Sequence, residues 1–362
     1  MSDYRIAVGQ PVLDDLRERI AATRWPPAIA GAGWDRGTDI DYLRALAARW
    51  LEYDWRAHEA ELNELDHVRI EVDGFGLHAI HQRAAEPGAV PLLLLHGWPD
   101  SFLRYRRVLP LLRDFHVVVP SLPGYGFSDK PAAPGYSTRR FAELVAGLMT
   151  ALGHDRFIAS GGDIGGGVAD WLAHRHADRL LGLHLTDVPY SHLLAVDAPD
   201  LTKAERAYLA AGRAWGQREG AYAAMQATKP MTAAYGLSDS PLGLAAWIVE
   251  KLRAWSDCDG DLERRFTLDD VLTHVTLYWV TNTIGTSFGP YFERETPGNE
   301  RPAIPTAATL FPRDLIRAPR AFADRIFDVR RWTELPRGGH FGAWEEPELF
   351  STEMRAAFSS LR

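Results

Sequence analysis

Phe157–Ser160 is a short strand-like run that enters Gly161-Gly162-Asp163-Ile164-Gly165-Gly166-Gly167, and a helix-forming stretch, Val168–His176, follows. One acidic side chain therefore stands at the tip of a turn made of glycines. This is the layout G-x-Nu-x-G, which holds a nucleophile on a sharp strand-to-helix turn. Glycine permits the bend and leaves room around the side chain it exposes. The bland alternative is a glycine-rich turn carrying a solvated aspartate. The residue type has a chemical consequence. A serine attacking a saturated carbon would leave an ether, which water does not readily cleave. An aspartate leaves an ester, whose carbonyl water can attack. Asp163 thus points to alkylating substrates, epoxides or alkyl halides, and away from ordinary esters and amides, which would call for Ser at this position. With a reference pKa of about 3.9, it is ionised near neutral pH and attacks without help. A base is needed only for the second step, to activate water.

Leu335-Pro336-Arg337-Gly338-Gly339-His340-Phe341 offers that base late in the chain, in a glycine-bounded loop after a predicted last strand. The order nucleophile, acid, base then asks for an acid between the two, just after a strand. Asp314 in Thr306–Asp314 fits; its rivals Asp324 and Asp328 sit later, in or beyond the next predicted helix. Oxyanion donors are expected from the backbone amides of Trp98, in His96-Gly97-Trp98-Pro99-Asp100-Ser101, and of Ile164. Pro99 has no N–H to give. His96 reads better as a brace for its loop than as a catalyst.

These residues need elements to hold them. Two alternating runs in His67–Gln82 flank Asp73-Gly74, a hairpin signal. Leu92–Leu95, Val117–Val119, Phe157–Ser160 and Leu180–Leu185 read as short buried strands, with helices such as Phe141–Leu152 between them. That alternation predicts a mostly parallel sheet. Strand-like runs return at Thr306–Leu310 and Trp332–Leu335, and an amphipathic helix is predicted over Pro347–Leu361. Before the sheet, Pro11 starts one predicted helix and Thr38 caps another, with the loop Arg24–Trp34 between them. The expected division is a helical extension over 1–66, an α/β core over 67–189 and 291–362, and an inserted helical lid over 190–290.

The chain has 362 residues, 46% of them hydrophobic and 24% charged, which excludes a disordered or collagen-like protein. A net charge of −8 without a long Lys/Arg run argues against nucleic acid as a partner. The single cysteine, Cys258, excludes an intrachain disulfide and disfavours thiolate-ligated zinc. Apolar runs such as Val90–Leu95 fall far short of the roughly 20 residues a membrane helix needs. The charged N-terminus, MSDYRIAVGQPVLDDLRERI, is unlike a secretion signal. A soluble cytoplasmic protein without a membrane anchor is expected, and a homodimer is left open.

HGWPDS, PGYGFS (Pro123–Ser128), GGDIGGG and RGGHFGAWEEPELF (Arg337–Phe350), in this order, resemble the signatures of α/β-hydrolase-fold epoxide hydrolases of the microsomal, fungal and bacterial branch. The N-terminal helical segment, Leu237–Trp255 and Leu277–Phe288 carry the likeness over nearly the whole chain. The resemblance implies an α/β-hydrolase fold with a mostly parallel sheet, an inserted helical lid and an N-terminal extension that wraps core and lid. It implies Asp163 as nucleophile, His340 as the water-activating base and Asp314 as the acid that orients it. It also implies two lid tyrosines on the epoxide oxygen: Tyr222, before the Gln226–Pro230 run, and Tyr291, in GPYFERE. Tyr190, Tyr235 and Tyr278 are the fallbacks. The substrate would be a small-molecule epoxide, the product a vicinal diol, and no metal or organic cofactor is implied. A lid rich in Trp and Tyr points to an apolar or aryl epoxide.

This chain departs from the family's pattern at two places. Relatives often carry Trp after the nucleophile, whereas Ile164 stands here, so the pocket wall differs while the amide survives. Mammalian members also carry an N-terminal anchor. One rival is a haloalkane dehalogenase, whose departing halide needs an indole N–H that Ile164 lacks. The other is a ligand-binding protein of the same fold, which has no need of the full Asp163–His340–Asp314 set.

Overall fold

The hairpin at Asp73-Gly74 forms as expected: both residues take positive φ, and Val72 pairs with Phe75 across the turn. It belongs to one nine-stranded sheet in a computed structural model that describes residues 2–86, 88–195, 199–298 and 300–359. The strands are β1 (Ser2–Asp3), β2 (His67–Val72), β3 (Phe75–Gln82), β4 (Pro91–Leu95), β5 (His116–Pro120), β6 (Phe157–Gly161), β7 (Leu180–Leu185), β8 (Pro305–Leu310) and β9 (Asp328–Glu334). Their spatial order is β1-β2-β3-β5-β4-β6-β7-β8-β9. The β1–β2, β2–β3 and β3–β5 pairs are antiparallel; from β5 to β9 every pair is parallel.

The parallel strands are the apolar runs of the sequence because helices cover both faces and leave no side for water. Leu92–Leu95, Val117–Val119 and Phe157–Ala159 are fully buried. The chain steps from β4 outward to β5, then crosses back to put β6 on the other side of β4. Such a reversal opens a crevice at the carboxyl ends of the strands, where ligands bind in open α/β sheets. Leu95 is paired with Gly161 at that point, so the loops after β4 and β6 leave side by side.

Between β7 and β8 the described residues form mainly helices, including Lys203–Glu219, Ala221–Thr228, Pro230–Asp239, Pro241–Trp255 and Leu268–Thr281. The N-terminal helices Gln10–Ala21 and Ile40–Glu52 pack on this block, and Trp55–Leu62 follows them. The Trp50 indole donates to Thr276 Oγ1 at 2.9 Å, the Tyr53 hydroxyl lies 2.7 Å from Thr273 Oγ1, and Arg49 pairs with Asp269. Three local readings change. The cap of the second helix is Asp39, which accepts from the Asp41 and Tyr42 amides, because Thr38 Oγ1 is spent on the Ala246 carbonyl. The N-terminus also adds β1, too short for a period-2 pattern to reveal. The terminal helix runs over Pro347–Ala357, and Leu361 lies outside the described residues. No helix among the described residues is long and apolar enough to cross a membrane.

Candidate active site

Asp163 sits one residue past the end of β6, after Gly162, with φ 54° and ψ −128°, conformations an L-residue holds only when its surroundings impose them. The surroundings are tight. A Cβ on Gly165 would lie 2.3 Å from the Leu95 carbonyl oxygen, and one on Gly97 would lie 2.6 Å from Asp163 Cβ. Glycine at these points lets the turn and the β4 loop close on the carboxylate. The Trp98 amide then donates to Asp163 Oδ1 at 2.8 Å, and the Ile164 amide also bonds the carboxylate. Asp163 Oδ2 faces His340 Nε2 at 3.6 Å. Burial works to raise the Asp163 carboxyl, but His340 and the two amides outweigh it and hold the group below the usual carboxylate range.

His340 and Asp314 arrive on the loops after β9 and β8, which are neighbours. The loops are laced together by the Arg313 amide on the Gly338 carbonyl. His340 Nδ1 lies 2.8 Å from Asp314 Oδ1, and both side chains are almost wholly buried. Burial disfavours the imidazolium, yet the Asp314 and Asp163 carboxylates raise the group to about 10. The rival acids are elsewhere: Asp324 pairs with Arg320, and Asp328 with Arg301 and Arg330. His96 braces its loop by accepting the Leu122 amide at 3.1 Å.

A cavity of about 270 Å³ opens over Asp163, walled by Trp171, Leu193, Trp215 and Ile316, and lined by the rings of Tyr222 and Tyr291. These tyrosines are buried, with ring centroids 5.9 Å apart, and each phenol influences the other's ionisation. Tyr222 stacks on Trp98 at 5.0 Å and 5°. Burial, and next the Asp163 charge for Tyr222 and the Tyr222 phenol for Tyr291, push both phenols up, so both stay neutral and able to donate. Of the fallbacks, Tyr190 also lines the cavity. Tyr278 is used up on the Asp100 carbonyl, and Tyr235 is 72% exposed. The Trp98 indole donates to Ser287 Oγ, so it is not free to hold a halide.

Three supporting residues escaped the sequence reading. Arg104 is buried and donates from one guanidinium nitrogen to Asp100 and from another to the His340 carbonyl, each at 2.7 Å, which ties the β4 loop to the histidine loop. Glu345 accepts the Asp257, Gly339 and Phe341 amides and so shapes that loop. Asp187, just past β7, accepts the Asp163 amide at 2.9 Å. The signal for Asp187 was present: it too is an acid after a strand, between Asp163 and His340. Asp187, Asp314 and His340 are also the acid–histidine group, among the described residues, close enough to share a metal ion, but each already makes hydrogen bonds within the protein. Replacing Arg104 by Ala strands a buried Asp100 charge. It should lower unfolding free energy by about 3–5 kcal/mol in denaturant titrations. A loss below 1 kcal/mol would mean that the two loops hold without it.

The fold and the strand-end site define an α/β hydrolase, and a model of the alpha/beta hydrolase fold matches residues 90–228. The model described as epoxide hydrolase N terminus matches residues 1–105. The chain is 39% identical over 377 residues to a protein of Stigmatella aurantiaca (strain DW4/3-1) that carries a provisional epoxide hydrolase designation, covering 100% of this chain and 86% of that one. It is 32% identical to epoxide hydrolase 1 of Sus scrofa, over 97% of this chain and 87% of the other. The solved Aspergillus niger epoxide hydrolase superposes with a TM-score of 0.89 at 30% identity, over 100% of this chain and 97% of that one. The chain belongs to the epoxide hydrolase family.

Proposed function

We propose that this chain converts a small apolar epoxide to a vicinal diol in two steps, through an ester on Asp163. What carries the reading is the division of labour between the two oxygens of that carboxylate. Oδ1 is held by the Trp98 amide, while Oδ2 faces the imidazole; the Ile164 amide also bonds the carboxylate. Oδ2 attacks a ring carbon from the side opposite the breaking C–O bond. Tyr222 and Tyr291 donate to the departing oxygen, which develops alkoxide charge. Oδ1 remains as the ester carbonyl, already on the Trp98 amide, which with the Ile164 amide will hold the oxyanion when water adds. Residues 190–290 act as the cap that carries Tyr222 and ends next to Tyr291, and 1–66 brace that cap.

Ester formation also turns His340 into a base. In the free enzyme the nearby Asp163 charge helps to hold the imidazole protonated. Alkylation deletes that charge, so the imidazole pKa falls when a neutral imidazole is required. Asp314 keeps it oriented and stabilises it once it has taken the water's proton. The expected pH profile follows. Ester hydrolysis, followed after rapid mixing, slows as pH drops through a midpoint below the about 10 of the free enzyme. Ester formation varies little from pH 6 upward, because Asp163 is ionised throughout. A hydrolysis rate that rises as pH falls would contradict this order of events.

The test of the route is one turnover in water enriched in heavy oxygen. The first diol should carry no label, because its new oxygen comes from Asp163, and label should enter only on later cycles. Label in the first diol means that water attacks the epoxide directly.

A further inference from the structure

Asp187 has no part in the two-step route, yet it stands beside the residues that do. It follows β7 as Asp314 follows β8, and β7 and β8 are adjacent. Neighbouring strand ends therefore bring a carboxylate each to one imidazole. One carboxylate oxygen of each acid and a ring nitrogen of His340 lie within 4.8 Å of one another. Asp187 is 4% exposed. Its Oδ2 accepts the Asp163 amide, which pins the strained turn, while its Oδ1 is buried without a hydrogen-bond partner. A buried carboxylate oxygen with an empty acceptor site is destabilising and calls for an explanation. Burial and the Asp314 charge push the Asp187 carboxyl up to about 7, against the pull of His340. Besides Asp163, Asp314 and His340, the phenols of Tyr105, Tyr190 and Tyr208 face it.

We infer that Asp187 is a second acid for His340: a positioning residue that shares the imidazolium charge during ester hydrolysis and takes over its orientation when Asp314 is removed. This rests on the two-step reading. The proton balance is unchanged by it: His340 takes one proton from water and gives it to the alcohol oxygen that leaves the ester, and the proton remaining on the released Asp163 carboxyl restores the phenol that protonated the epoxide oxygen.

The experiment separates the two half-reactions in the full-length enzyme, using the epoxide turned over fastest in a panel that starts with styrene oxide. Asp187→Asn keeps an acceptor for the Asp163 amide and loses the charge. Alone, it should leave ester formation and the melting temperature nearly unchanged and slow ester hydrolysis by less than about tenfold. Asp314→Ala should retain ester hydrolysis at least about tenfold faster than His340→Gln, and that remainder should fall as Asp187 is protonated at or below about pH 7. Asp314→Ala/Asp187→Asn should drop to the His340→Gln level, a coupling expected only of residues that share a partner. The inference fails if Asp314→Ala is already as slow as His340→Gln, or if Asp187→Asn costs the same factor in both backgrounds. Should Asp187→Asn not fold, the residual rate and pH profile of Asp314→Ala decide alone. Absence of an ester in His340→Gln is a different result and overturns the two-step reading itself.

Discussion

His340→Gln enzyme mixed with an accepted epoxide will stop with the substrate joined to Asp163, and intact-mass measurement will show one added substrate mass. Asp163 needs no base for its attack, since its carboxyl is held below the usual carboxylate range and is ionised. The Trp98 and Ile164 amides remain in place to hold the ester carbonyl. Hydrolysis of that ester does need the imidazole, and glutamine cannot take a proton from water. Turnover should fall by at least about 10²–10⁴ while ester formation continues. The adduct should map to the peptide containing Asp163. Continued diol formation with no adduct would remove both roles.

Tyr222→Phe/Tyr291→Phe should show the opposite split. The rings stay, so the stack on Trp98 and the cavity wall stay with them. Both donors to the departing oxygen are lost. An alkoxide is a poor leaving group, and general-acid help of this kind is worth about 10²–10⁴ in rate. Ester formation should slow by that range or more in the double variant, and by a smaller factor in each single one, because either phenol can serve in part. Hydrolysis of an ester formed slowly should proceed at the normal rate. Because burial raises both phenols, ester formation in the unaltered enzyme should not decline as pH rises toward 10. If the double variant alkylates within tenfold of the unaltered enzyme, the oxygen is held by another donor, and Tyr190 is the cavity phenol to replace next.

Much of the site could be read along the chain because its pieces are local. A glycine-bounded Asp after an apolar run, a His in a glycine loop and an acid after a strand are patterns of a few consecutive residues, and Asp163, His340 and Asp314 do meet. The tyrosines were legible only through resemblance. Twelve tyrosines offer no spacing that separates Tyr222 and Tyr291 from Tyr235, which lies on the surface. Thr38 failed as a cap because a contact 208 residues away claimed its hydroxyl.

By itself, then, the order of residues determined the α/β alternation, the carboxylate at the glycine turn and the class of bond such a carboxylate can form, since these follow from backbone periodicity and from the chemistry of one side chain. Only the folded chain decided which oxygen of Asp163 lies against the imidazole, which tyrosines overlook it, and that Asp187 and Arg104 hold the loops around it. Those facts are distances between segments that the strand order brings together, and hydrogen bonds and screened charges act over a few ångströms of space whatever the separation along the chain.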